Sequence, residues 1–284
     1  MEIKLLPPEN KSKDLITSII LCAGEGTRIN KFLPNIPKPL IKINDKPILE
    51  YILSYLIKSN IKSINIVIGH LKEYIIEYIE SNYKINKKLR RRILLVDSGD
   101  EYKKGPLYSF LSITKIESIM KRDSIFMVLP GDTFLDYDLF QEIVTLIKKY
   151  SIIIQNSSLL FYQEIKGINL KDEEEPEKLI SILKTEKTKV KEKVKKIEQL
   201  ALKNIHNENH YQRIVPVFVL GFKFLEYLID TEKNVSVNSI REIINVLLKK
   251  KNNIYAFPVN SKYRFYDIDT KLDLLRLNQK KRGQ

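Results

Sequence analysis

An apolar run that leads into a pair of glycines constrains the fold of this chain more than any other feature. The run from Ser18 to Ala23 (SIILCA) is short and rich in β-branched residues, and Gly24 and Gly26 follow it. Continuous apolar runs of this length are typical of strands that are buried on both faces. The glycines permit a sharp turn whose backbone N–H groups can approach an anion. The pattern therefore predicts a buried strand that ends in an anion-binding loop.

Two cationic residues follow the glycines at fixed distances. Arg28 ends the sequence Gly-Glu-Gly-Thr-Arg, and Lys38 lies between Pro37 and Pro39. Because the prolines restrict the backbone and remove N–H donors, we expect Lys38 to lie on a stiff segment. A guanidinium, an ammonium and free N–H groups together suit a polyphosphate. For the glycine pair alone, a tight turn without a ligand is the alternative.

The longer pattern distinguishes this loop from two common phosphate-binding motifs. Ile29 stands where the dinucleotide-binding fingerprint needs its third glycine, and no Gly-Lys-Ser/Thr follows as a Walker A loop requires. What remains is G-x-G-T-R, nine residues, and then K-P-L. This pattern resembles the signature of the sugar-1-phosphate nucleotidyltransferases, also called nucleoside-diphosphate-sugar pyrophosphorylases. The resemblance extends over about residues 17–278.

The resemblance implies a role for each part of the loop. Backbone N–H groups from Gly24 to Thr27, together with Arg28, would hold the β- and γ-phosphates of a nucleoside triphosphate, and Lys38 would neutralise its α-phosphate. Asp100-Glu101 stand where the family has a glutamine near the base, which leaves the base preference open. The implied nucleotide-binding residues are Leu21, Ala23, Gly24, Gly26, Thr27, Arg28, Lys38 and Gly105.

Strand-like and helix-like segments alternate along the chain, which indicates βαβ units. We therefore predict an α/β fold with a Rossmann-like three-layer α/β/α arrangement around a mixed, mainly parallel sheet, and the resemblance implies the GT-A-like nucleotide-diphospho-sugar transferase fold. A single nucleotidyltransferase domain is expected over residues 1–284 (core about 17–278), with a charged insertion at about 166–205. The predicted strands are 63–69, 93–97, 124–129, 213–220 and 254–259, and the predicted helices are 48–60, 72–82, 107–120, 139–150 (capped by Asp136 or Asp138), 237–251 and 272–278.

Three aspartates are candidate metal ligands. Asp132 follows Pro-Gly at the end of a predicted buried strand, and Asp267 and Asp269 form a D-x-D pair before Thr270. Alternate side chains of a strand point to the same face, so both members of that pair would face the cleft. The resemblance implies that Asp132 holds Mg²⁺ with Asp267 or Asp269, and it leaves open which of the two. A helix cap for Asp132 and turn chemistry for the D-x-D pair are the alternatives.

The acceptor side departs from the family pattern. An acidic run (Asp172–Pro176) precedes the stretch Lys184–Lys196, in which seven of thirteen residues are lysine and the apolar positions are sparse. We expect an exposed helix or hairpin there. Family members carry a strand ending in Glu-Lys-Pro, whose lysine meets the sugar phosphate, but Gln199 stands in its place. The lysine is therefore replaced, or the register differs. The strand Arg213–Leu220, which leads into Gly221–Phe224, resembles the family segment on the sugar side.

Charge and composition exclude several classes of protein. The net charge is +14, but no nucleic-acid-binding motif appears, so acidic small substrates account for it and no nucleic-acid partner is expected. The basic run 87–92 is interpreted as a solvated loop. A lone cysteine, Cys22, and three histidines exclude a disulfide framework or a zinc site, and Cys22 is expected in the core. Residues 1–14 lack the apolar region of a signal peptide, and no apolar run approaches a membrane span, so a cytoplasmic location without membrane insertion is expected.

The resemblance implies an enzyme of class EC 2.7.7. It would transfer a nucleoside monophosphate from an NTP to a sugar-1-phosphate or related polyol phosphate, with Mg²⁺ as cofactor and release of pyrophosphate. Arg28, Lys38 and Asp132 are the implied catalytic residues. A non-catalytic nucleotide-binding relative and a transferase for a cofactor precursor or lipid-precursor polyol phosphate are the alternatives. A homo-oligomer is compatible with the sequence, which leaves the oligomeric state open.

Overall fold

The computed structural model describes residues 15–173, 178–187, 192–250 and 252–282. The polar amino-terminal segment 1–14, and the parts of the charged segment at 174–177 and 188–191 (with Val190), lie outside the described residues.

Strands and helices alternate through most of the described chain. The strands are β1 (Ile16–Cys22), β2 (Lys42–Ile43), β3 (Lys46–Pro47), β4 (Ser63–Ile68), β5 (Ile93–Asp97), β6 (Ile125–Pro130), β7 (Thr133–Leu135), β8 (Ser158–Lys166), β9 (Leu179–Lys187), β10 (Glu192–Ala201), β11 (His210–Gly221), β12 (Ile254–Pro258) and β13 (Phe265–Asp267). The helices are α1 (Ile48–Lys58), α2 (Lys72–Tyr83), α3 (Lys87–Arg90), α4 (Pro106–Leu111), α5 (Tyr137–Lys149), α6 (Ser151–Ile154), α7 (Gly167–Glu173), α8 (Phe222–Glu232), α9 (Ile240–Lys249) and α10 (Lys271–Arg282).

One large mixed sheet organises these elements, in the order β5-β4-β1-β6-β11-β8-β12-β10-β9. Its first four strands are parallel, and β1 lies between β4 and β6 as its buried apolar sequence predicted. From β11 onward most pairings are antiparallel, and β9 also pairs with β11. The α/β prediction with a mixed sheet is therefore confirmed. The sheet is less parallel than the expected mainly parallel one, since parallel pairs join the first four strands and β8 to β12, and the remaining pairs are antiparallel. A separate ribbon pairs β7 with β13.

The two faces of the sheet are covered by different helices, which gives the three layers. Side chains of β1 alternate between the faces, as strand geometry requires: Ile20 and Cys22 join one core, and Ile19 and Ala23 join the other. Helices α1, α2 and α5 pack on the first face, and α4, α8 and α9 pack on the second. Cys22 is buried as expected. Each core is continuous, so the strand that precedes the glycine loop is held from both sides.

The helix predicted over 107–120 is shorter than expected. Helix α4 ends at Leu111, a 3₁₀ segment covers Ser112–Lys115, and Ile116 is extended. The hydroxyls of Ser112 and Thr114 donate to the carbonyls of Tyr108 and Leu111. Such local side-chain bonds compete with helical ones, which explains the early end.

Helix α9 begins at Ile240 rather than near 237. Ser239 and Glu242 form a capping box that fixes the start. Asp136 stands at the cap position of α5 as predicted, but its carboxylate accepts from the backbone N–H of Arg264 instead of capping the helix. The Asp136 carboxylate therefore links two segments that are distant in sequence and does not cap α5.

The basic run 87–92 forms α3 and the turn after it instead of a simple solvated loop. Arg90 makes an ion pair with Glu80 (Nη2–Oε1 2.7 Å) and donates to the carbonyl of Ile93. Arg92 donates to the carbonyl of Ile61. These cations tie α2, α3 and the sheet together, so their role in this structure is architectural.

The charged segment at 166–205 contains α7 and the antiparallel pair β9–β10, so the hairpin alternative is the one the structure adopts. Val194 and Ile197, two of its sparse apolar residues, are buried against the core under α9. No helix in the described ranges is both long enough and apolar enough to cross a lipid bilayer.

Candidate functional site

The glycine loop and the Pro-Lys-Pro segment lie against each other. Gly26 has a φ of +63°, and a Cβ at this position would lie 2.8 Å from Cγ of Lys38. A non-glycine residue would therefore be strained there and would also displace the lysine. The N–H of Asn30 donates to the carbonyl of Gly26 (3.0 Å) and closes the turn. Two parts of the predicted motif that are twelve residues apart thus meet at one point.

Lys38 lies at the centre of a carboxylate cluster. Its Nζ is 3.2 Å from Oδ2 of Asp132 and 2.7 Å from Oδ1 of Asp269, and its side chain is only 11% exposed. Burial alone would lower the pKa of Lys38, but attraction to Asp132 and Asp269 outweighs it and raises the pKa. Lys38 is therefore a fixed positive charge at the pH of the cell.

Close packing of β6 on β1 brings Asp132 to this cluster. The N–H of Gly131 donates to the carbonyl of Leu21 (2.9 Å). A Cβ on Gly131 would lie 2.6 Å from Sγ of Cys22, so only glycine permits this approach. Asp132 follows immediately at the carboxyl edge of the sheet, where ligands bind in folds of this type.

Asp267 reaches the same edge through the β7–β13 ribbon. It is the register partner of Thr133, whose hydroxyl donates to its Oδ1. Burial is the main cause that raises the pKa of Asp267 to about 6, and repulsion by Asp132 adds to it, while Lys178 and Arg213 oppose the shift. Two carboxylates thus lie close enough to repel each other.

Asp269 lies beyond the end of β13, so strand alternation does not position it as predicted. The turn that carries it is held by Asp273, whose Oδ2 accepts from the N–H groups of Asp269 (3.0 Å) and Thr270 (2.8 Å). Asp269 contacts Nη2 of Arg28 at 3.1 Å as well as Lys38. Burial would raise the pKa of Asp269, but attraction to Lys38 and then Arg28 leaves it lowered.

The carboxylate cluster fits a hard divalent cation that also binds substrate phosphates. Within the described residues no group of three or more His, Cys, Asp or Glu is arranged so that it could hold a metal ion by itself. Mg²⁺ does not need such a group, since it commonly uses one or two carboxylates with phosphates and water. The repulsion between Asp132 and Asp267 is the feature that a cation would relieve. The oxygen donor set therefore suits Mg²⁺.

A cleft of about 490 Å³ opens beside Asp267 and Asp269. Lys178, 9% exposed, lies 3.1 Å from Oδ1 of Asp273 and donates to the carbonyl of Asp267. The guanidinium of Arg213 lies 4.4 Å from the ring centroid of Phe265. Cations outnumber carboxylates in this cleft, whose charged lining residues are Arg28, Lys178, Arg213, Arg241, Asp267 and Asp269.

The sequence profile of the family described as Nucleotidyl transferase matches residues 17–166, which is more than half of the chain. The chain belongs to this family. The match contains the glycine loop, Lys38 and Asp132, which the structure has brought together. It ends before Lys178, Arg213 and the D-x-D pair.

Two curated relatives of this chain show how far the sequence similarity extends. The D-glycero-alpha-D-manno-heptose 1-phosphate guanylyltransferase of Campylobacter jejuni is 37% identical over 122 residues, 43% of this chain and 50% of that protein. The choline-phosphate cytidylyltransferase of Streptococcus pneumoniae is 28% identical over 135 residues, 48% of this chain and 52% of that protein. The matches span about half the length of both relatives.

Similarity of fold to solved structures extends over nearly the whole chain. The structure of UDP-glucose pyrophosphorylase complexed with UDP-glucose superposes with a TM-score of 0.67, covering 95% of this chain and 99% of that chain at 18% identity. The inositol-1-phosphate CTP transferase from T. maritima gives a TM-score of 0.67 at 15% identity, covering 94% of this chain and 96% of that chain. These likenesses support the predicted GT-A-like fold.

The cleft differs from the sequence prediction in the position of its lysine. Gln199 lines the cleft, as its place in the predicted motif suggested. The buried lysine in the cleft, however, is Lys178, which precedes β9, the strand paired with the strand of Gln199. No sequence signal singles out Lys178, because it lies in a segment where lysines are abundant. Arg213 carried a signal, since a charge at the start of a buried apolar strand is unusual.

Of the two other glycines that the sequence associated with the substrate, Gly221 lies away from the cleft and Gly105 has a packing role. Gly221 pairs with Ile125, at the end of β6 opposite to Asp132, so this part of the predicted sugar-side segment is remote from the cleft. Gly105 has a φ of +119°, and a Cβ there would lie 2.6 Å from the carbonyl oxygen of Asn238. Its observed role is to let α4 pack on the loop before α9, and its nucleotide-binding role stays a prediction.

Proposed function

We propose that this chain catalyses the Mg²⁺-dependent transfer of a nucleoside monophosphate from an NTP to a sugar-1-phosphate or related polyol phosphate, with release of pyrophosphate. The observation that carries the proposal is the position of Lys38. It contacts the glycine loop on one side and Asp132 and Asp269 on the other, beside a cationic cleft. Donor phosphates, a metal and an anionic acceptor would therefore meet around one ammonium group.

The chemistry asks mainly for positioning and neutralisation of charge. An oxygen of the acceptor phosphate attacks the α-phosphorus, and the bond from that phosphorus to the oxygen bridging the β-phosphate breaks. Pyrophosphate leaves with the bonding electrons. Because the second pKa of a phosphate monoester is about 6, the attacking oxygen is already deprotonated at neutral pH and needs no general base. Preorganised cations are the catalytic resource for such a transfer.

Each cation of the site has a distinct part in this scheme. The N–H groups of the loop from Gly24 to Thr27 and the guanidinium of Arg28 bind the β- and γ-phosphates. Lys38 stabilises the charge that develops around the α-phosphate. Arg28 is 66% exposed on its side chain, so it can turn from Asp269 to the triphosphate. Asp132 and Asp267 would hold Mg²⁺, which supplies further positive charge to the phosphates when bound.

The experiment is a pyrophosphate-release assay with five NTPs against a panel of sugar and polyol phosphates. We expect Lys38→Ala and Asp132→Asn each to reduce turnover by at least about 100-fold, the loss typical of a removed electrostatic group. Lys42→Ala is the matched control, because Lys42 is an exposed lysine four residues away. Circular dichroism verifies that the variants fold. Undiminished turnover in either variant would refute the proposal, and so would full activity in EDTA.

Gln199 stands where the family has a lysine, and this difference is an argument for the non-catalytic alternative. Lys178 supplies a buried ammonium in the same cleft, which removes that argument. Transfer to a cofactor precursor or a lipid-precursor polyol phosphate differs from the main proposal only in the acceptor, and the same panel separates them. A cytoplasmic location stays a prediction from the sequence.

A further inference from the structure

Arg241 is placed differently from the other cations of the cleft. It is the second residue of α9, on the edge of the buried apolar face that includes Ile240 and Ile244. Its side chain lines the cleft together with Ser181 and Gln199. Burial lowers the pKa of Arg241, because packing removes part of its hydration. The guanidinium is thus held at the cleft surface and partly desolvated.

The guanidinium makes little use of its hydrogen-bonding capacity. Across the described residues, its only hydrogen bond joins Nη1 to Oγ of Ser181 at 3.4 Å. The adjacent carboxylate of Glu242 is engaged elsewhere, since its Oε2 accepts from the N–H groups of Asn238 and Ser239 in the helix cap. A guanidinium carries five donors in a planar fork that matches a carboxylate or a phosphate. Most of this fork is available to a ligand.

The other cations of the cleft already face protein groups near the carboxylate cluster. Arg28 contacts Asp269, and Lys178 contacts Asp273. Lys178 donates to the carbonyl of Asp267, whereas Arg241 contacts Ser181, three residues farther along the chain than Lys178. Arg241 therefore lines a different part of the cleft from Lys178.

The backbone separation of these two parts of the cleft follows from the chain itself. Ser181, which contacts Arg241, comes three residues after Lys178, and an extended chain rises about 3.3 Å per residue, so the backbones at these two residues are about 10 Å apart. This length is on the scale of a sugar phosphate. An acceptor whose reacting phosphate lies near Lys178 would present its far end to Arg241.

We propose that Arg241 binds a second anionic group on the acceptor, so that the acceptor is a phosphate monoester with a carboxylate or another phosphate at its far end. This inference rests on the proposed function. A partly desolvated guanidinium gains most from a ligand with negative charge, because charge-assisted bidentate bonds are about twice as strong as neutral ones. The excess of cations disfavours an acceptor whose far end is cationic, such as a trimethylammonium group.

The test compares matched pairs of acceptors that differ only at the far end. Glucuronic acid 1-phosphate is paired with glucose 1-phosphate for the carboxylate arm, and glucose 1,6-bisphosphate with glucose 1-phosphate for the phosphate arm. Dissociation constants are measured by calorimetry on the full chain with Mg²⁺. We expect at least one acidic member to bind about tenfold more tightly than its neutral partner, as one added charge-assisted contact would give.

Variants assign the preference to Arg241. Arg241→Gln should remove about this tenfold preference by weakening the acidic member far more than the neutral one, and Arg241→Lys should restore part of it. Arg91→Gln, a change at an exposed arginine outside the cleft, should leave the preference intact.

Three outcomes would overturn the inference: equal binding within both pairs, no binding of either acidic member, or equal weakening of both members by Arg241→Gln. Turnover of a neutral acceptor that depends on Lys38, without any acidic preference, would overturn only this inference and leave the proposed transferase in place. The proposed transferase activity itself is tested separately by Lys38→Ala.

Discussion

Asp267 and Asp269 are two residues apart and do different things. Asp269 makes ion pairs with Lys38 and Arg28, and these attractions lower its pKa. Asp267 accepts from Thr133, and burial followed by repulsion from Asp132 raises its pKa to about 6. Asp269 already pairs with two cations and so fixes their positions. Asp267 is destabilised in its ionised form, so a bound metal ion would stabilise that form. We therefore propose that Asp132 and Asp267 hold Mg²⁺ and that Asp269 positions Lys38.

The raised pKa of Asp267 has a consequence for stability. An acid whose folded-state pKa (about 6) exceeds its usual value of 3.8 favours folding when protonated; that contribution is complete below about pH 4 and is lost as the pH rises through 6. Asp267→Asn keeps an acceptor for Thr133 and removes the charge. Without Mg²⁺, the variant should be more stable than the parent chain at pH 8, by up to about 3 kcal/mol, with a smaller difference at pH 5.

Urea unfolding at pH 5 and pH 8, in EDTA, measures both free energies of unfolding. A stability difference that grows toward pH 5 would contradict the assigned direction of the pKa shift. Adding Mg²⁺ at pH 8 should stabilise the parent chain more than Asp267→Asn, because the variant lacks one of the assigned ligands.

Individual residues of the donor side could be predicted because each belongs to a short local motif. Gly26, Arg28, Lys38 and Asp132 were each identified from local patterns, and the structure brings them together. Arg241 could not be predicted, because an arginine in the first turn of an amphipathic helix is ordinary in sequence. Its position on the cleft depends on how α9 packs over β10.

At the level of elements, the approach of β6 to β1 determines where Asp132 lies. Gly131→Ala would place a Cβ 2.6 Å from Sγ of Cys22 and 2.8 Å from the carbonyl oxygen of Leu21, in a fully packed region. We expect a loss of about 1–3 kcal/mol in the free energy of unfolding, as overpacked cores show. Denaturant melts measure it.

Gly24→Ala is the matched control for this change, because a Cβ at Gly24 would have no atom within 4 Å. Its free energy of unfolding should stay within about 1 kcal/mol of that of the parent chain. If the two alanine variants were equally stable, the close approach of β6 to β1 would not be the reason for glycine at position 131.

The turn before α10 joins the β7–β13 ribbon to the cationic cleft. Asp273 accepts from the N–H groups of Asp269 and Thr270 through Oδ2 and contacts Lys178 through Oδ1. Asp273→Ala leaves Lys178 and two N–H groups without this partner. Breaking a buried ion pair of this kind costs about 3–5 kcal/mol, so we expect a loss of that order in urea melts together with weaker acceptor binding.

Asp138→Ala is the control for Asp273→Ala. Asp138 is an exposed acid in the first turn of α5, so its loss should lower the free energy of unfolding by about 1 kcal/mol or less. A wild-type acceptor affinity in Asp273→Ala would show that Lys178 does not depend on this turn.

Elements with strong local signals were predicted well, and those that depend on distant contacts were not. Strands β4 and β5 agree with their predicted ranges to within one residue, because apolar runs between glycines, prolines or charges have clear limits, and β1 begins two residues before its predicted run. The D-x-D pair was predicted to lie in one strand, but β13 ends at Asp267 because its partner β7 is only three residues long. The length of a partner strand is not visible in the sequence around Asp267.

Across the whole molecule, the donor and acceptor sides come from different parts of the chain. The family profile ends at residue 166, so the matched region contains the glycine loop, Lys38 and Asp132. Most of the charged residues of the acceptor cleft come after it. The recognised motif therefore carries the residues proposed to bind the triphosphate, whereas most of the proposed acceptor side lies outside the profile. This is why the sequence predicted the donor side better than the acceptor side.

The net charge of +14 acts on the molecule as a whole, because it attracts anionic substrates before they make contact. Salt screens such long-range attraction, with a Debye length of about 10 Å at 0.1 M and 3 Å at 1 M. Contacts inside the cleft are screened far less, since the side chain of Lys38 is 11% exposed. Raising potassium chloride from 0.05 to 0.5 M should therefore lower kcat/KM for the NTP several-fold and change kcat by less than about twofold.

Steady-state kinetics at five salt concentrations and constant Mg²⁺ measures both parameters. Sucrose at matched viscosity is the control for slower diffusion. A parallel fall of kcat and kcat/KM would mean that salt disrupts the contacts of Lys38 with Asp132 and Asp269 themselves, and the overall positive charge would then have no separate role in capturing the substrate.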